Sequence, residues 1–248
     1  MMQAAIAAYP NEACGFIVGQ GKKCKLLVCR NASQNPAAEF LFHPDDQIAA
    51  EKEHQIVGVF HSHVNRPPEP SDADRAGCEM SELPWFILGI TKNYNPETAV
   101  DFRFSDLVML KPEGFQMPYQ GRPYVFGVFD CWLLCRDYLK REFNVELDAL
   151  PALHVQNWFD GEVDILGDNY PSQKLVRLPA GTPKRRGDIL FMQLGGRMPD
   201  HCAVYVGDGL ILHHLTDRLS CHAVYGGQWE KHTTHHLRHK DMMEGNHD

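Results

Sequence analysis

The chain contains no apolar run approaching the ~18 residues of a membrane-spanning helix, which excludes a helical span. Its opening, MMQAAIAAYP, has neither the basic start nor the long apolar stretch of a secretory signal, so synthesis and folding in a cytosol are expected. Positive charge is scarce: 24 Lys and Arg stand against 32 Asp and Glu, a formal charge of −8. Nucleic acid is therefore not an expected ligand, since a phosphate backbone needs clustered cations, and the local PKRR run at 183–186 does not change the balance. Eight cysteines are present, yet none form a C-x-x-C pair, so a structural zinc knuckle is not indicated and most should be buried, reduced thiols. No internal repeat is visible.

What is present suits a globular fold. At 248 residues, with 44% hydrophobic and 23% charged composition, the chain can bury a normal core in one large or two modest domains. Fourteen histidines are unusual, and they crowd the end in HTTHHLRHKDMMEGNHD. That segment reads as a solvated, partly disordered terminus, with a loose metal-binding tail as the alternative. Residues 2–8 read as a helix, GFIVG and CKLLVCR as a hairpin, and 44–54 as a helix. QIVGVFHSH then reads as a buried strand, followed by a helix from Ser71 and the strands PWFILGIT and VDFRFSD. The stretch KPEGFQMPYQGRP lacks periodicity and reads as a linker, which divides the chain into domains 1–112 and 113–248. Beyond it come a helix CWLLCRDYLKREF, striped by Leu133, Leu134, Tyr138 and Leu139, an irregular segment around 161–183, and the strands RRGDILFM, DHCAVYVG and LILHHL.

The run HSHVNRPPEPSDAD, 61–74, carries the first chemistry. Histidines two apart on a strand project from one face, so His61 and His63 can reach one metal ion while Ser62 points away. Asp74 can supply a third ligand, leaving the fourth tetrahedral position for water, and Glu12 is available to take that water's proton. The same residues also read as a helix start capped by Ser71, with an acidic residue three later. Glu12, then HSH, then seven residues, then S-x-x-D, resembles the JAMM motif of JAB/MPN metalloproteases. The resemblance implies a JAB/MPN-like α/β sandwich, Zn2+ held by His61, His63 and Asp74, Glu12 as general base, and Ser71 steadying the oxyanion. It also implies cleavage of isopeptide or peptide bonds beside small folded tags.

A second constellation lies at 124–213. Cys131 directly follows a helix cap at Asp130, where unpaired N–H groups favour a thiolate, so it is the best nucleophile candidate; Cys135, one turn later, reads as core. His201 supplies a partner base, and a third polar residue should orient it. His213 and His214 both compete for that place: a three-residue turn at 207–209 turns His213 towards His201, whereas a two-residue Asp208-Gly209 turn selects His214. PYVFGVFDC, RRGDILF and HCAVYVGDGLILH resemble the NlpC family of papain-like cysteine peptidases. That resemblance implies a helix-plus-β-meander domain, His213 as the third residue, Tyr124 shaping the oxyanion site, and bacterial peptidoglycan stem peptides as substrate. Trp132 stands where that family usually places a small residue.

The order of the two domains, an α+β chain throughout, resembles the tail tip assembly proteins of lambda-like bacteriophages. Expected partners are then peptidoglycan, other phage tail tip proteins, and a tail protein of ubiquitin-like fold as the JAMM substrate. Synthesis in the host cytoplasm, with delivery at the tail tip of the virion to the periplasmic wall, would account for a wall hydrolase without a signal peptide. Two alternatives stand beside this: a cytosolic JAMM enzyme processing a ubiquitin-like sulfur carrier, and a mainly structural tail assembly factor.

Overall fold

The computed structural model describes residues 1–21, 23–94, 101–148, 150 and 164–243. The chain divides into two compact units, Met1–Met117 and Pro118–Asp248. The division falls a few residues past the boundary expected at 112. No helix among the described residues is long and apolar enough to cross a membrane.

The first unit contains α1 (Met2–Ala8), β1 (Cys14–Gln20), β2 (Lys23–Cys29), α2 (Pro44–Glu53), β3 (Ile56–Val64), α3 (Asp72–Ser81), β4 (Trp85–Asn93) and β5 (Asp101–Leu110). Its five strands form one sheet in the order β2-β1-β3-β4-β5. Only β3 and β4 run parallel, because α3 crosses between them; the other pairs are antiparallel. Alternation along β3 divides the core. Val59 packs with Ala50, Cys78 and Trp85 on the face of α2 and α3, while Phe60 packs with Ala5, Leu88 and Ile90 on the face of α1. His61 and His63 share the parity of Val59 and so point towards α3.

The second unit contains α4 (Cys131–Phe143), α5 (Ile165–Asn169), β6 (Leu175–Arg177), β7 (Ile189–Met192), β8 (His201–Gly207), β9 (Leu210–His213), β10 (Cys221–Val224), α6 (Gln228–His232) and β11 (Thr233–His239). A six-stranded antiparallel sheet runs β10-β9-β8-β7-β11-β6. Against it α4 buries Trp132, Leu134, Cys135, Tyr138 and Leu139, packed with Phe191, Cys202, Val204 and Leu212. Leu133, expected in the stripe, is only half-buried, and Trp132 takes its place. The Trp132 indole donates to the Asp148 carbonyl at 3.0 Å, so this large residue beside Cys131 belongs to the core.

Several sequence expectations fail here for identifiable reasons. The histidine-rich end is not a solvated tail: β11 lies inside the sheet between β7 and β6, and Leu237, Arg238 and His239 are buried. The cause is Asp188, fully buried in β7's approach, which accepts from Arg238 at 2.7 and 2.8 Å and from His236 at 2.6 Å. A buried carboxylate requires such paired donors; the Arg185 N–H supplies one at 2.8 Å, and β11 supplies the side-chain donors. Residues 244–248 of the histidine-rich segment, and 161–163 of the segment read as irregular, lie outside the described residues; the remainder of the latter carries α5 and β6.

The hairpin of β8 and β9 also departs from expectation. Gly207 pairs with Leu210, so the turn has two residues, Asp208 (φ 50°) and Gly209 (φ 72°). By simple alternation that turn would have selected His214. However, the register shifts between Tyr205 and Gly207, and this bulge restores the pairing Ala203↔His213. His201, Ala203 and His213 consequently share one side.

Candidate functional site

In the first unit the site forms where β3 meets the start of α3. Ser71 caps α3, its hydroxyl accepting from the Asp74 N–H at 3.1 Å, while Asp74 Oδ2 accepts from the Ser71 N–H and hydroxyl, each at 2.7 Å. The cap and the candidate ligand are thus one device: the box that starts the helix also fixes Asp74. Gly77 lets this helix approach, since a Cβ there would meet the Trp85 ring at 2.4 Å. Asp74 Oδ1 lies 3.1 Å from His61 Nε2, and Oδ2 lies 3.4 Å from His63 Nε2. The two ring nitrogens are 3.2 Å apart.

These three residues fit a metal ion by their own chemistry. His63 Nδ1 lies 2.8 Å from the Pro67 carbonyl, and only an N–H can bond there, so Nε2 presents a bare lone pair. His61 is stacked on Phe40 at 4.7 Å and met edge-on by Trp85 at 5.7 Å, which fixes its ring plane. Burial alone would raise the Asp74 pKa, but the neighbouring His61 and His63 imidazoles, with the Ser71 hydroxyl, outweigh it and hold the carboxyl well below the usual range. Among the described residues these three are the one group of His, Cys, Asp or Glu side chains placed to hold a metal. Glu12 is buried beside them, ion-paired to Arg66; burial raises its pKa, opposed by His61 and Arg66. Arg66 also donates to the Ala38 carbonyl at 2.9 Å. Neither Arg66 nor Phe40 carries a sequence signal that would have marked it.

In the second unit α4 begins at Cys131. Asp130 caps it by accepting from the Leu133 N–H at 2.9 Å and the Gly127 N–H at 3.0 Å, and burial pushes the Asp130 carboxyl up to about 7. The Cys131 thiol is held well below its ordinary pKa, first by a hydrogen bond from Cys202 and then, against burial, by His201. His201 and His213 rings meet edge-on at 5.4 Å. Buried His201 Nε2 and His213 Nδ1 both lack hydrogen-bond partners. Trp229 covers His213 at 4.5 Å, and burial, with His201 next, lowers the His213 pKa to about 4. His214 turns the other way, its Nε2 3.1 Å from the Arg218 carbonyl and its ring 5.2 Å from Tyr124. Tyr124 is close enough that the charge of Cys131, after burial, raises its phenol pKa. Every sequence-predicted site residue therefore joins one of two clusters; Cys202 and Trp229 were missed, although Cys202 adjoins His201.

A His-His-Asp group placed to hold a metal at the end of a mixed sheet, and a helix-start cysteine near a sheet histidine, define a two-domain chain whose units each carry a peptidase-like set of residues. Residues 1–105 match the family of prokaryotic homologs of the JAB domain, and residues 121–238 match the NlpC/P60 family. Tail tip assembly protein K of Escherichia phage N15 is 30% identical over 245 residues, 98% of this chain and 93% of that protein. Its counterpart in Escherichia phage lambda is 30% identical over 199 residues, 79% of this chain and 88% of that protein. The chain belongs to the tail tip assembly protein K family. Over part of the chain, 34%, it is also 33% identical to 63% of the desampylase of Pyrococcus furiosus.

Proposed function

We propose that this tail tip assembly protein hydrolyses a peptide bond in the stem peptides of bacterial peptidoglycan through Cys131, and carries a separate zinc-dependent peptidase site at His61, His63 and Asp74. The observation that carries the first reading is the Cys131 thiol at a helix start, within hydrogen-bond reach of His201. Cys131 Sγ attacks the scissile carbonyl, the C–N bond breaks, and His201 returns the proton to the leaving amine. Water then hydrolyses the thioester with His201 as base. His213 orients His201, and Tyr124 shapes the oxyanion site.

In the first unit a bound zinc supplies Lewis acidity and lowers the pKa of water to about 7. His61, His63 and Asp74 would hold it. With the metal bound, Glu12 would accept a proton from water, and Ser71 would turn its hydroxyl from Asp74 to the developing oxyanion. The likeness to desampylase supports a substrate of ubiquitin-like fold, and the family supports another tail protein as its carrier. The protein would be made in the host cytoplasm and act at the tail tip, reaching the periplasmic wall with the virion.

Incubating the full chain, under reducing conditions, with Gram-negative-type sacculi should release new stem-peptide fragments visible by mass spectrometry. Alanine at Cys131 or His201 should lower turnover by orders of magnitude, and His213→Ala by less, because it only orients. Intact sacculi after treatment with folded wild-type protein would sink the hydrolase reading.

A further inference from the structure

His213 is 4% exposed, and its two ring nitrogens lie in different surroundings. Nε2 stands 3.6 Å from Cys221 Sγ, while Nδ1 is buried and has no hydrogen-bond partner. The contact follows from the sheet. Cys221 lies directly opposite His213 in the antiparallel pair of β9 and β10, so the two side chains stand on one side. Ala203 pairs with His213 from β8, which puts His201, two residues earlier, on that side as well. Cys221 is itself exposed, on the edge strand, yet its backbone is fixed. Just before it the buried Ser220 hydroxyl donates to the Tyr119 carbonyl at 2.7 Å and accepts from the Arg122 N–H at 2.9 Å. Burial keeps His213 neutral, its pKa lowered to about 4, so one of its two nitrogens carries a proton and the other is bare. When His201 takes the Cys131 proton it carries an N–H on both nitrogens, and its buried Nε2 then needs an acceptor. Sulfur already engages His213 Nε2. Nδ1 is the nitrogen left for His201, and it can accept only if the proton sits on Nε2.

We propose that Cys221 is a positioning residue for His213: its sulfur accepts from the His213 Nε2–H, which fixes the proton on that nitrogen, holds the ring, and leaves Nδ1 as a bare lone pair for the His201 imidazolium. This rests on the cysteine-peptidase reading of the second unit. No bond to the Cys221 sulfur forms or breaks in the reaction, and its own proton stays in place. Thiol sulfur is a weak acceptor, so its removal should leave the enzyme active but slower. The loss should fall on turnover rather than on substrate binding, because His213 serves the proton that His201 holds during the covalent steps.

The test reads the tautomer directly, by nitrogen NMR of the full-length protein isotope-labelled at its histidine rings, where protonated and bare nitrogens resonate far apart. His213 is assigned by the signals missing from His213→Gln. At neutral pH the wild type should show His213 protonated at Nε2 alone. Cys221→Val suits an edge strand and keeps the volume but offers no acceptor, so both tautomers should appear. Its kcat on a soluble muropeptide should fall about twofold to tenfold, the range of one ordinary hydrogen bond, with KM unchanged. Cys221→Ser keeps an acceptor and should restore the single tautomer and most of kcat. Cys221→Ala replaces the valine variant should that one fail to fold. A proton on Nδ1 in the wild type, a valine variant unchanged in tautomer or in kcat, or a serine variant no better than valine overturns this inference alone. Folded wild-type protein that leaves the muropeptide intact overturns the peptidase reading and this inference with it.

Discussion

In the first unit four of the five candidate residues lie between His61 and Asp74, on one strand end and the helix start that follows it; only Glu12 is brought from afar. In the second unit Cys131, His201 and His213 come from a helix and two strands, and their meeting depends on the register of a hairpin. The first site is set by local rules, namely strand alternation and a capping box. The second is set by sheet pairing, where a single bulged residue decides which of two neighbouring histidines faces His201. The two sites should therefore fail differently.

The largest expected effect tests the local site. His61→Ala with His63→Ala should reduce bound zinc from about one per chain to none by elemental analysis, because one carboxylate cannot replace three ligands. The Cys131 alkylation profile should not move in that variant; a shift would mean that the sites are coupled. Next, inserting one alanine between Leu212 and His213 should shift the end of β9 by one residue, turning His213 off the face of His201 and His214 onto it. Stem-peptide hydrolysis should fall about as far as in His213→Ala, and activity at the wild-type level would show that register does not select the third residue.

Smaller effects concern what holds each site. Asp188→Asn leaves the buried Arg238 guanidinium without its counter-charge and should cost about 3–5 kcal/mol in denaturant unfolding of the second unit. Gly77→Ala forces a methyl group into the Trp85 ring and should cost about 1–3 kcal/mol in the first unit, with weaker zinc retention on dialysis. An unchanged zinc affinity there would mean that α3 can slide without disturbing Asp74.

The mildest effect is on stability against pH. His213 has a folded pKa of about 4 against an ordinary 6.5, so its contribution is complete above pH 6.5 and is lost as pH falls towards 4. Asp130 has a folded pKa of about 7 against an ordinary 3.8, so its contribution is greatest below pH 3.8 and is lost as pH rises through 7. The two oppose each other between pH 4 and 6.5. Thermal melts of Asp130→Asn should fall more steeply towards acid than wild type, and those of His213→Gln less steeply. Parallel curves for all three would show that neither group titrates as described.

This contrast also explains what could be read in the sequence. His61, His63, Ser71 and Asp74 were legible because their geometry follows from periods of two residues on a strand and three at a helix cap. Cys131 was legible from its cap at Asp130. The choice between His213 and His214 was not, because the turn signal at Asp208-Gly209 was right while the bulge beside it has no compositional mark. β11 was missed for a related reason: its histidines look solvated until Asp188, far away in sequence, is seen to need Arg238 and His236. Arg66, Phe40 and Trp229 act only through neighbours that folding brings to them.

The central claim is that one chain carries two chemically independent sites. Crossing them in a single sacculus digestion tests it most directly, using wild-type protein before and after removal of metal by a chelator, beside Cys131→Ala with metal present. The account predicts the same stem-peptide fragments from both wild-type samples and none above background from Cys131→Ala, which should still retain its zinc. Fragments that vanish on chelation, or persist without the Cys131 thiol, would contradict it.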